Sequence, residues 1–132
     1  AIFLSFSTGT SWGTFAILVP IATALFTGGE DLQMMIISVA AVLAGAVCGD
    51  HVSPISDTTV MSSAGAQSNH LNHVSTQMQY AAVTACVCLV GYLIAAVTRT
   101  WWITLGVSLL LLLAVLTGMR RFCVKKAENG KK

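Results

Sequence analysis

Asp50 and Asp57 stand in the stretch "GDHVSPISDTTVMSS" (Gly49–Ser63), beside His51, Pro54 and six hydroxyl side chains. The carboxylates, with the hydroxyls of Ser53, Ser56, Thr58 and Thr59, form a set of oxygen donors. Such donors suit hard cations such as Na⁺ better than soft metals. A carboxylate taken out of water holds its proton more tightly, and a nearby cation releases it. One carboxylate can thus hold H⁺ or Na⁺ but hardly both, and this competition is the minimum chemistry of exchange. Asp50 and Asp57 are therefore the candidate Na⁺ ligands. His51 titrates near neutrality and can tune the site with pH. A second polar stretch, "STGTSWGT" (Ser7–Thr14), offers the hydroxyls of Ser7, Thr8, Thr10 and Ser11. Gly9 and Gly13 within it permit a sharp turn and close approach of backbone.

These residues lie in a very apolar chain. It is 55% hydrophobic and 9% charged, with a mean hydropathy of +0.79. Soluble domains carry roughly 25% charged residues, and a soluble domain of this size could not hide so much apolar surface. The composition indicates an integral membrane protein. The net charge is +2, and six of the seven basic residues (Arg120, Arg121, Lys125, Lys126, Lys131 and Lys132) fall in the last thirteen positions. Directly after an apolar helix, such a cluster marks the cytoplasmic end of a span rather than a nucleic-acid site. The expected organisation is a membrane domain over 1–119 and a basic cytoplasmic tail over 120–132. Cys48, Cys86, Cys88 and Cys123 form no C-x-x-C pair, so no zinc or redox motif is present. The chain opens inside membrane-like sequence without an initiator Met, which reads as the C-terminal part of a longer protein.

The elements that position the polar stretches follow from hydropathy. Met78–Val97 and Trp102–Met119 are uncharged and close to the ~20 residues a span needs. Only "TRTW" separates them, which predicts an antiparallel hairpin with Trp101 and Trp102 in an interfacial belt. Trp12–Phe26 is interrupted by Pro20 and has the length of a re-entrant arm. "TGGED" (Thr27–Asp31) is a turn at a water interface. Leu32–Cys48 is apolar and slightly short for a crossing. Pro54 has no N–H and disfavours helix at Ser53, so the chain unwinds there. Asp57 is placed to N-cap a second half-helix. Ser68–Gln77 is polar enough for a cytoplasmic connection. Chained back from a cytoplasmic C-terminus, these segments bring both polar breaks, near residues 7–12 and 49–58, to the bilayer midplane. Non-helical backbone survives at that depth only inside protein or along a water-filled cavity, and discontinuous helices there are a device of secondary transporters.

Two stretches, "STGTSWGTFAILVPIA" (Ser7–Ala22) and "GDHVSPISDTTVMSSAGAQSNHLNHVSTQMQYA" (Gly49–Ala81), resemble the NhaC-type Na⁺/H⁺ antiporters of the ion-transporter superfamily. Together they cover rather more than a third of the chain. The family often has Pro before the tyrosine at the end of the second motif, where this chain has Gln79. The resemblance implies inverted repeats, each with a re-entrant hairpin and a broken helix, this chain being most of the second repeat. The implied fold is all-α and membrane-integral. The implied activity is Na⁺/H⁺ exchange, or coupled antiport of an organic acid such as malate or lactate, or of an amino acid. A half-helix N-terminus at Trp12 would favour a carboxylate substrate.

No cofactor is expected beyond the transported Na⁺ and H⁺. Expected partners are the lipid bilayer of the inner (plasma) membrane, the N-terminal repeat of the parent chain, Na⁺, H⁺ and a small organic anion; a homodimer is left open. An intramembrane metalloenzyme built on Asp50, His51, His70 and His73 fails on spacing, since no H-E-x-x-H is present.

Overall fold

The computed structural model describes residues 1–26, 28 and 31–129, those from 122 to 129 as helical backbone only. Thr27, Gly29 and Glu30 of the expected "TGGED" turn lie outside the described residues. So do the side chains of Lys125 and Lys126, and Lys131 and Lys132 entirely. The described residues form six α-helices and no strand: α1 (Ile2–Thr8), α2 (Ser11–Ala24), α3 (Leu32–Val52), α4 (Asp57–Gly65), α5 (His70–Thr98) and α6 (Trp101–Asn129). Three stretches are long and apolar enough to cross a membrane: Leu32–Val52, His70–Thr98 and Trp101–Arg121. This is an all-α, multi-pass membrane protein. Helix α2 has 14 residues, and at 1.5 Å per residue it rises about 21 Å, short of the ~30 Å hydrocarbon core.

The chain divides into two compact units, Ala1–Cys86 and Val87–Lys132. In the first, α1 and α2 pack on α3 and on each other, and α4 packs at the end of α3. Its interior is inverted relative to a soluble domain. Ser5, Thr14, Asp50, Ser53, Ser56, Thr59 and Ser63 are buried, whereas Phe3, Trp12, Ile17, Ile21, Leu32 and Ile36 are exposed. Lipid is as apolar as leucine, so large side chains gain little by turning inward, and small or hydroxylated residues take the helix contacts instead.

The close approach of α1 to α3 depends on "GAVCG" (Gly45–Gly49). A Cβ on Gly49 would overlap the Ile2 carbonyl oxygen and lie 3.0 Å from Phe6 N and from Ser5 Cβ; one on Gly45 would lie 3.0 Å from Ala1 Cβ. Glycines four apart share a helix face, and here that face receives backbone rather than side chains. The hydroxyl of Ser5 completes the contact by donating to Ala46 O at 2.6 Å.

In the second unit, α5 and α6 are joined through Arg99 and Thr100, with Arg99 at φ +51°. The helices approach closely at Gly91, where a Cβ would sit 2.6 Å from Ser108 Oγ. Trp101 and Trp102 stack with ring centroids 3.6 Å apart.

Several boundaries differ from the sequence expectation. Helix α3 runs on to Val52, past Cys48, and so is a full-length span. Residues 70–77 begin α5 rather than forming a connection; polar residues at the end of a span extend the helix into the interface at no cost to its hydrogen bonding. The expected break at 7–12 narrows to Gly9 and Thr10, and that at 49–58 to Ser53–Ser56.

Candidate ion-binding site at two helix breaks

The two breaks touch. At the first, Gly9 ends α1 in the left-handed conformation, φ +67°, with its N–H donating to Ser5 O at 2.8 Å. Such a cap costs a glycine little and most residues about 1–2 kcal/mol. Thr10 is extended (φ −145°, ψ 125°) and N-caps α2, its Oγ1 accepting from Gly13 N at 3.4 Å. A Cβ on Gly9 would lie 2.8 Å from Ile55 Cγ1 and 3.1 Å from the Ile55 carbonyl carbon. Ile55 belongs to the second break, where Ser53 is extended (φ −70°, ψ 130°) as a residue before proline prefers. Only a residue without a side chain lets these two irregular segments meet.

Unwinding frees backbone carbonyls that lipid cannot satisfy, and side chains take several of them. Ser53 Oγ donates to Phe6 O at 2.7 Å, Thr59 Oγ1 to His51 O at 3.0 Å, and the His70 ring, through Nε2, pairs with Pro54 O at 2.8 Å. Ser53 thus joins the second break to α1, and Thr59 joins α4 to the last turn of α3.

Asp50 lies at the centre of this arrangement. It is in the last turn of α3 and only 7% exposed. Its Oδ2 accepts from Ser11 Oγ at 3.0 Å, and its Oδ1 from Ser56 Oγ at 2.6 Å. Ser11 is the first residue of α2, and Ser56 is the N-cap of α4. Two helix starts and one helix end therefore converge on one carboxylate. The starts carry positive partial charge and support the anion; the carbonyl end of α3 carries negative partial charge and attracts a cation. Ser56 also shares a hydrogen bond with Thr58 Oγ1 at 2.8 Å. The Ser56 proton is committed to Asp50, so Thr58 donates to Ser56 and Ser56 to Asp50. The described residues contain no cluster of three or more His, Cys, Asp or Glu side chains placed to hold a metal. What they do assemble is one carboxylate with three hydroxyls, an oxygen-only set that matches a hard cation.

The remaining sequence candidates divide. Asp57 is exposed and is the first helical residue of α4; Ser56, one residue earlier, holds the N-cap position expected of Asp57. The Asp57 carboxylate accepts from Thr58 N at 2.7 Å, and its charge suits the helix start. Asp57 is thus linked to Asp50 only through the residues Thr58 and Ser56, the Thr58 hydroxyl meeting Ser56 and its backbone N–H meeting Asp57. Ser7 and Thr8 are exposed and bond carbonyls of their own helix, Phe3 O at 2.8 Å and Leu4 O at 2.9 Å. They are outside the constellation around Asp50. Thr10 acts as a cap, and His51 is exposed, its carbonyl accepting from Thr59 Oγ1. Gly13 supplies the N–H that Thr10 caps.

Sequence reasoning missed Ser5, Gly45 and Gly49, which seat α1. The readable signal was G-x-x-x-G in an apolar segment. His70 and His73, read from sequence as part of a polar connection, lie in the first turns of α5. In the structure, Ser63 Oγ bonds His70 Nδ1 at 3.0 Å and Ser62 Oγ bonds His73 Nε2 at 3.2 Å, tying α4 to the start of α5.

The sequence is similar to that of known proteins. The chain is 50% identical over 95 residues to an uncharacterized protein of Haemophilus influenzae, covering 72% of this chain and 18% of that protein. It is 40% identical over 85 residues to the malate-2H⁺/Na⁺-lactate antiporter of Bacillus subtilis, covering 64% of this chain and 17% of the antiporter. The chain thus spans less than a fifth of the length of these relatives. No solved structure matches it. The model of the Na⁺/H⁺ antiporter family matches residues 1–97, which include both breaks and every residue bonded to Asp50, and the chain belongs to that family.

Proposed function

We propose that this chain supplies one repeat of a Na⁺/H⁺ antiporter of the NhaC type, and that Asp50 is the carboxylate at which the ions compete. The observation that carries this reading is a buried carboxylate held by hydroxyls from the starts of two other helices, at the contact between two helix breaks. Such a carboxylate is costly in a membrane unless it is neutralised or paired. Na⁺ and H⁺ each neutralise it, and one excludes the other. The hydroxyls of Ser11 and Ser56 keep lone pairs for a cation beside Asp50 while their protons remain directed at its oxygens. Asp57, at the start of α4, serves as the outer acid that a cation meets on its way in or out.

On this reading α1 and α2 form the re-entrant arm, α3 and α4 are the two parts of one helix broken at Ser53–Ser56, and α5 and α6 complete the repeat. A preceding repeat of inverted topology supplies the rest of the cavity. The protein lies in the inner (plasma) membrane with the C-terminus in the cytoplasm, following the basic residues from Arg120 to Lys132. No cofactor and no catalysis are required.

The test is the whole protein in proteoliposomes with a lumenal pH dye. Addition of Na⁺ moves protons in the wild type. Asp50→Asn reduces this flux at least a hundredfold, and Asp57→Asn raises the Na⁺ concentration for half-maximal flux while leaving flux at saturation. Wild-type flux in Asp50→Asn overturns the assignment. The similarity to the malate/lactate antiporter supports a second reading, in which a hydroxy- or dicarboxylate travels with the cation. Flux that requires malate or lactate in addition to Na⁺ selects it.

A further inference from the structure

The unwound segment Ser53–Ser56 must present Ser56 to Asp50, yet its own hydrogen bonds are long. Ser56 N reaches Ser53 O at 3.4 Å, and Ile55 N reaches Ser53 Oγ at 3.4 Å. Pro54 contributes no N–H. Two short bonds hold the segment from outside: Ser53 Oγ to Phe6 O at 2.7 Å, and His70 Nε2 to Pro54 O at 2.8 Å. We infer that His70 is a positioning residue for the exchange site, acting as a strut from the first turn of α5 that fixes the Pro54 carbonyl and so the distance from Ser56 to Asp50. This rests on the assignment of Asp50 as the exchanging carboxylate.

The hydrogen-bond inventory of the histidine makes the strut independent of its charge. A carbonyl only accepts, so Nε2 carries a proton. In the neutral ring Nδ1 then has a lone pair and accepts from the Ser63 hydroxyl at 3.0 Å. In the charged ring Nδ1–H donates to Ser63 Oγ, whose own proton turns to Val60 O at 2.9 Å. The bond to Pro54 O is the same in both states. The other titratable group at this corner, His73, pairs with Ser62 Oγ at 3.2 Å, and Ser62 in turn reaches Thr59 O at 3.0 Å. Neither contact involves the Pro54 carbonyl.

A glutamine can place an amide N–H near the position of Nε2, whereas asparagine is too short and alanine has no donor. In the whole protein, His70→Ala and His70→Asn raise the KM for Na⁺ about tenfold with Vmax within about twofold, the loss expected for one hydrogen bond. His70→Gln keeps the wild-type KM and the wild-type pH profile of exchange. A wild-type KM in His70→Ala overturns the inference. So does a pH optimum displaced equally in His70→Gln and His70→Ala, which would mean that the ring carries protons. A second readout does not depend on transport. Deuterium uptake by the peptide covering residues 49–63 rises in His70→Ala and not in His70→Gln, with uptake over 101–119 unchanged as evidence of an intact fold. Equal uptake over 49–63 in wild type and His70→Ala overturns the strut whether or not Na⁺ drives proton flux. Absence of flux in the wild type, with the uptake difference present, removes the exchange reading and leaves the strut.

Discussion

The Ser56 hydroxyl donates to Asp50 Oδ1 at 2.6 Å and its oxygen faces Thr58 Oγ1, so α4 has no side-chain cap. The side-chain cap is given up, at a usual cost of about 1 kcal/mol, in favour of a bond to a carboxylate, worth roughly 1.5–3 kcal/mol. Ser56→Ala removes that bond and interrupts the path from Thr58. The expected result is a rise in the KM for Na⁺ of roughly tenfold to a hundredfold, at 1.4 kcal/mol per factor of ten. Ser11→Ala, at 3.0 Å from Oδ2, raises it about tenfold by the same principle. Ser7→Ala and Thr8→Ala leave it unchanged, because those hydroxyls serve their own helix. The Na⁺ dependence of proton flux in proteoliposomes checks all four, and a uniform effect across them would show that Asp50 is not the centre of the site.

At the scale of the element, glycines decide where helices come together. Gly49→Ala puts a Cβ into the Ile2 carbonyl and against Phe6 N. Backbone cannot step aside as a side chain can, so the expected cost is about 2–4 kcal/mol, within the range for overpacking and lost fit. Gly65→Ala meets nothing within 4 Å and gains up to about 1 kcal/mol of helix propensity. Thermal unfolding in detergent should therefore separate the two, with Gly49→Ala well below the wild type and Gly65→Ala at or slightly above it. Much of this level was legible in the sequence. The three long apolar segments, the short arm with Pro20, and breaks near Gly9 and Pro54 all follow from composition and proline chemistry. Break widths did not, for a physical reason. Ser7 and Thr8 look unhelical by type, yet their hydroxyls bond carbonyls one turn back and stay in register. His70 to Gln77 look like a connection, yet a helix leaving the bilayer tolerates polar side chains. The sequence also weighted Asp50 and Asp57 equally. Only three-dimensional packing shows that one is buried between helix starts and the other exposed.

For the molecule as a whole, the polar interior and apolar exterior of the Ala1–Cys86 unit describe a body built for lipid. The basic residues from Arg120 to Lys132 predict its orientation: a green fluorescent protein fused after Lys132 should fluoresce, and alkaline phosphatase fused there should be inactive. The reverse result would invert the topology. The seating of α1 has a consequence for synthesis. Helix α1 meets α3 through its own backbone, at Ile2 and Phe6. Its seat, Gly45–Gly49, lies further along the chain. The carboxylate and its two donors come from α2, α3 and the start of α4, so the set is incomplete until residue 56 has left the ribosome and all three have docked. A half-made chain therefore lacks the full set of oxygens around Asp50.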